Sequence, residues 1–116
     1  MKAPIVLFVL VAVGIVIGLT HAARGPDYTE AQIATARRLV ATADRGGILT
    51  HRACDRGTAQ IAVVAWAALN ATEKQTLTLS LAAVCDADGH ADAIDLIDAQ
   101  SGKMLAKAVA GQFTVY

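Results

Sequence analysis

The chain has 116 residues, 55% of them hydrophobic, and its ten cations balance ten acids. That length allows one domain and not two, and a balanced charge lacks the basic footprint that phosphate neutralisation requires, which sets nucleic acid aside as a partner. The 25 alanines swell the hydrophobic fraction without adding much packing volume, so the core must rest on a few large residues: Ile33, Leu39, Val40, Ile61, Val63, Trp66, Leu77, Leu81, Ile94 and Leu96.

Lys2 precedes fifteen apolar residues, 5–19, and Thr20-His21-Ala22 follows them. A cation, a short apolar core and a small-x-Ala exit are the parts of a secretory signal peptide, with cleavage expected after Ala22. Fifteen residues fall short of the roughly 20 that span a bilayer comfortably. The uncharged stretch 3–20 reaches eighteen residues, so an uncleaved membrane anchor is the alternative. The expected location is exported, periplasmic or secreted, or alternatively anchored in the inner membrane with the domain outside the cytoplasm. The expected division is a leader over 1–22, a linker over 23–28 and a domain over 29–116.

Thr29 opens a helix, with Gln32 completing a capping box. Ile33, Ala36, Leu39-Val40 and Ala43 recur at helical spacing until Gly46-Gly47 ends the run. Residues 48–54 and 58–66 read as two strands of a hairpin turning at Asp55-Arg56-Gly57. Asn70 and Glu73 mark a second helix start, and Leu77, Leu81, Val84 and Cys85 follow on one stripe until Asp88-Gly89. A strand over 93–98 places Ile94 and Leu96 on one face, Asp95 and Ile97 on the other. Gln100-Ser101-Gly102 turns the chain into a strand over 103–110, and 113–116 alternates as a terminal segment. The order α-β-β-α-β-β predicts an α+β two-layer domain: an antiparallel sheet of about four to five strands with two helices on one face.

Trp66, Leu69, Lys74, Leu77, Leu81 and Cys85, then Leu96, Asp98, Ser101-Gly102-Lys103 and Leu105-Ala106, and the ending Gly111-x-Phe113-x-Val115-Tyr116, form one spaced pattern. In it, roughly residues 60–116 resemble an uncharacterised family of small exported bacterial proteins. The resemblance supports the order of elements and implies no activity or ligand. Read from the residues alone, Trp66 is a core side chain. Lys74 lies in the first turn of its helix, an unhelpful place for a cation. An ion pair with a carboxylate of the 86–98 segment, or a partner contact, would account for it.

Two cysteines in an exported domain suggest a disulfide. With the hairpin turning at Arg56-Gly57, Cys54 lies at its tip, and the strand-then-helix path returns Cys85 to that end. The alternative is two separate buried thiols.

Other chemistry is declined. Cys85 and His51 carry no local signature of a nucleophile and its base. Asp86-x-Asp88-Gly89-His90-x-Asp92 lacks the closing Glu of a calcium loop. Ser101-Gly102-Lys103 lacks the upstream glycine and following Ser/Thr of a phosphate loop and reads as a turn. No cofactor, metal or catalytic residue is assigned.

Six arginines fall between Arg24 and Arg56, and five aspartates between Asp86 and Asp98. The expectation is a non-enzymatic interaction or envelope-associated module, its partner another envelope protein or a second copy of itself. Its contact groups would be Arg37, Arg38, Arg52, Arg56 and Lys74 on one side and Asp92, Asp95 and Asp98 on the other. Membrane contact would come only through 3–20. The alternative is a small-ligand or metal binder using the acidic 86–98 segment.

Overall fold

A computed structural model describes residues 28–116; the leader and most of the linker lie outside them. Helix α1 (Glu30–Arg45) leads into β1 (Leu49–Ala53), a 3-10 turn (Cys54–Arg56) and β2 (Thr58–Ile61). Two helices follow, α2 (Val63–Ala67) and α3 (Ala71–Ala87), then β3 (Ala93–Asp98), β4 (Met104–Val109) and β5 (Gln112–Val115). The five strands form one open sheet in chain order, β1 to β5. This is the expected α+β domain.

Both long helices start where the sequence marks them. The Thr29 hydroxyl accepts from Gln32 N at 3.1 Å, and Gln32 Oε1 accepts from Thr29 N at 2.8 Å. Asn70 and Glu73 repeat the reciprocal pair at 2.8 and 2.9 Å. Each box satisfies two backbone donors that a helix start otherwise leaves orphaned. Helix α1 stops through Gly47, whose φ of 77° lets Ile48 N reach back to Ala43 O at 3.0 Å.

Two expectations are corrected. The second strand was read as 58–66, but β2 ends at Ile61 and residues 63–67 form a one-turn helix, with Trp66 N donating to Ala62 O at 3.0 Å. The partner strand begins at Leu49, opposite Ile61, and one further bond, from Ala62 N to Ile48 O at 2.9 Å, is the last between the two segments. Coiling instead swings Trp66 into the core, 5% exposed, and leaves Val64 outside at 83%. The sheet is also not wholly antiparallel: β2 and β3 run parallel, with Ala59 opposite Leu96. The chain leaves β2 and crosses back along the 17-residue α3, which restarts it at the end where β2 began; a parallel neighbour requires such a crossover.

Helix α3 is buried all round from Thr76 to Cys85, because the sheet lies on one side of it and α1 on the other. The core joins Leu39, Val40, Leu49, Ile61, Trp66, Leu77, Leu81, Ile94 and Leu96 to a set of fully covered alanines, Ala36, Ala43, Ala59, Ala83, Ala106 and Ala108. Those alanines let the helices and the sheet approach closely. Ile33 and Val63, expected in the core, are only part-buried at its margin. Among the described residues the other sheet face carries no helix: Gln60 is exposed there, and Asp95, Ile97 and Lys107 are half-buried.

Cys54 and Cys85 are joined in a disulfide with their Cα atoms 5.3 Å apart. The bridge fastens the end of β1 to the middle layer, since Cys85 is fully buried within α3.

Candidate docking groove

A cavity of about 430 Å³ opens between α1 and β1 at the edge of the sheet. Arg37, Val40, Ala41 and Asp44 supply one wall at positions i, i+3, i+4 and i+7, the single helical face that such spacing selects. Leu49, His51 and Arg52 supply the other wall, and Val84 of α3 reaches the floor. Val40, Leu49 and Val84 are buried, whereas Arg37, Asp44, His51 and Arg52 are exposed on the rim. The groove therefore has an apolar bottom and a polar lip of two arginines, a histidine and an aspartate.

That lip depends on an irregularity. Residues three apart on a regular strand point to opposite faces, yet Leu49 and Arg52 pair with Ile61 and Ala59, both buried on the helix-bearing face, while His51 pairs with exposed Gln60. The register of β1 against β2 slips between Leu49 and His51, leaving Thr50 as an extra residue whose hydroxyl donates to Gln60 O at 3.1 Å. This is a β-bulge, the device that re-aims side chains at sheet edges and beside binding sites.

The electrostatics bring together two parts of the chain that the sequence suggested were opposite surfaces. Arg37 Nη2 donates to Asp88 Oδ1 at 2.7 Å, so the acidic segment folds back onto the arginine-bearing helix. The hydrogen bond from Arg37 holds the Asp88 carboxyl below its usual range against a small desolvation effect, and the charges of Arg37, Arg52 and His90 add to it. Both side chains of the pair are well exposed, so the contact orients Arg37 more than it stabilises the fold. Among the described residues Arg52 meets no carboxylate within ion-pairing distance.

The remaining expected contact residues are dispersed. Arg38 is exposed on α1 beside Arg37 but does not line the groove, and Arg56 sits at the hairpin tip. Lys74 makes no ion pair with an acidic-segment carboxylate; its ammonium lies over the Trp66 ring, 5.6 Å from the centroid. The ring face draws a cation, which offsets its poor position in a helix first turn. Asp92 accepts from the Tyr28 hydroxyl at 2.8 Å. Asp95 lies on the open sheet face at the register of Lys107 and Thr58. Asp98 closes the β3–β4 turn, accepting from Ser101 Oγ at 2.7 Å and Gln100 N at 2.9 Å, which holds its carboxyl low. The Ser101-Gly102-Lys103 turn is thus organised by an aspartate rather than around an anion.

No group of three or more His, Cys, Asp or Glu among the described residues is placed to hold a metal ion. Cys85 is committed to the disulfide and offers no thiol. Sequence alone does not single out Asp44 or the apolar floor, and it offers His51 as a strand residue with one wet edge rather than a catalytic base. The Arg37, Val40, Ala41, Asp44 spacing was the available signal for one wall; the bulge that completes the other left no composition mark. No helix among the described residues is long and apolar enough to cross a membrane. No family model matches the chain, and no curated protein or solved structure does.

Proposed function

We propose that this is an exported, non-enzymatic interaction module that docks a partner protein of the cell envelope at the α1–β1 groove. The observation that carries the reading is the bulge in β1, which puts Arg52 on the same face as Leu49, beside an apolar floor already flanked by Arg37. Surface-exposed arginines beside a concave apolar patch are the composition of a binding site rather than of a solvated edge. The Cys54–Cys85 bridge suits an oxidising compartment and supports export, as does the leader-like sequence over 1–22. The acidic-segment alternative has less behind it, because Asp88, Asp92 and Asp98 each serve a different partner within the fold.

Capture from envelope fractions at low salt, comparing the wild type with Arg52→Glu, tests the reading. The wild type is expected to retain a partner that rising salt releases, and the variant to retain at least tenfold less at an unchanged melting temperature. Equal retention by the two proteins would remove the groove from the function.

A further inference from the structure

We infer that the groove receives the carboxyl terminus of a partner chain whose last side chain is apolar. The inference rests on the docking role proposed above and names the chemistry of what docks. The cavity joins two demands within about 430 Å³: an apolar floor of Val40, Leu49 and Val84, and guanidinium groups from Arg37 and Arg52 at its lip. A ligand that meets both must carry an apolar group and an anion only a few bonds apart. The last residue of a peptide does so, with its side chain and carboxylate on one Cα.

The donors are available. A guanidinium has five N–H groups in a planar fork suited to a carboxylate. Asp88 takes one nitrogen of Arg37, and Arg52 pairs with no carboxylate among the described residues. Asp44 on the same rim offers an acceptor for a peptide N–H. The volume lies toward the small end of the roughly 300–1,000 Å³ typical of ligand clefts, suited to a chain end and too small for a folded surface. Strand β1 is a sheet edge whose outer backbone groups meet no other strand among the described residues, so the extended chain leading to that terminus has donors and acceptors beside it.

Amide spectra of the oxidised, isotope-labelled protein titrated with short peptides decide the matter. Acetyl-Ala-Ala-Leu with a free carboxylate is expected to shift the amides of Ala41, Leu49, His51 and Arg52. Its C-terminal amide should bind at least tenfold more weakly, and a peptide ending in serine should also lose affinity. Arg52→Gln should cost the free acid about the same factor and leave the amide unaffected, while Arg52→Lys should recover part of it. Equal binding of acid and amide overturns the inference. So does equal binding of octanoate, or of an amide-capped peptide with an internal glutamate, which would make the ligand a free amphipathic acid or an acidic side chain. If Arg52→Gln loses its spectral dispersion, the acid-against-amide comparison on the wild type decides alone. Failure of every peptide alongside Arg52-dependent capture of a protein partner would sink this inference and leave the docking role standing.

Discussion

Tyr28 and Asp92 tie the first described residue to the start of β3 through a single hydrogen bond, and that bond has a measurable pH signature. Burial raises the Asp92 carboxyl pKa, the Tyr28 hydroxyl works against the rise by donating to it, and the charge of Asp86 adds to it. Burial and the same carboxylate push the Tyr28 phenol up, so it remains a donor throughout the physiological range. The raised direction fixes the sign of the linkage. Below the unfolded aspartate pKa of about 3.9 both states are protonated and the group contributes no difference. Above it the unfolded state ionises first, and the folded state loses stability until pH has passed the raised native value. Asp92→Asn keeps an oxygen for Tyr28 and carries no charge. Its melting temperature should exceed that of the wild type at pH 7, and the difference should shrink to nothing as pH falls below the unfolded aspartate value. A difference independent of pH would show that the carboxylate is not held in its disfavoured form.

Among the elements, the β4–β5 hairpin holds the chain's one strained residue among those described. Val109 pairs with Gln112 across a two-residue loop, Ala110-Gly111, and both loop residues have positive φ, 50° and 80°. That is the turn favoured between twisted strands, normally filled by Asn-Gly. Gly111 adopts it freely; Ala110 does so against its Cβ, at a cost of about 1 kcal/mol. Ala110→Asn is therefore expected to stabilise the domain by about 0.5–1 kcal/mol, read as a higher denaturant midpoint at unchanged slope. A midpoint that falls would place the strain elsewhere. The strands on either side were legible from alternation, as were both capping boxes, because those signals are local. What escaped was decided by neighbours. Residues 62–66 alternate poorly in either direction, and they coil where the pairing with β1 runs out, after the Ala62 N to Ile48 O bond. Lys74 was recognisable as out of place, but the ring that accommodates it lies eight positions upstream on a separate helix. Half of the groove was written in helical spacing on α1. The other half needed a register slip that no single residue type announces.

For the molecule as a whole, the disulfide and the groove belong to one arrangement. Strand β1 is joined to the rest of the sheet along one edge only, and its far end is held by Cys54 to the buried helix that also supplies Val84 to the groove floor. Closing a loop of 31 residues removes about 3.5 kcal/mol of unfolded-state freedom on the chain-entropy estimate. For a small domain whose core is so rich in alanine, that is a large share of a typical total of about 5–15 kcal/mol. The double variant Cys54→Ser, Cys85→Ser should lose roughly that amount in chemical denaturation and should bind groove ligands more weakly even where it remains folded. A loss below about 1 kcal/mol would mean that the staple is incidental to the fold.

The proposed function has partners meet this domain at the α1–β1 groove and not on the sheet face that bears no helix among the described residues. Photoreactive residues introduced singly at Ala41, exposed at the groove, and at Thr114, exposed on β5, compare the two surfaces in producing cells. A discrete adduct is expected from position 41 that disappears when Arg52→Glu is added, and none from position 114. An adduct from 114 with none from 41 would contradict the proposed function.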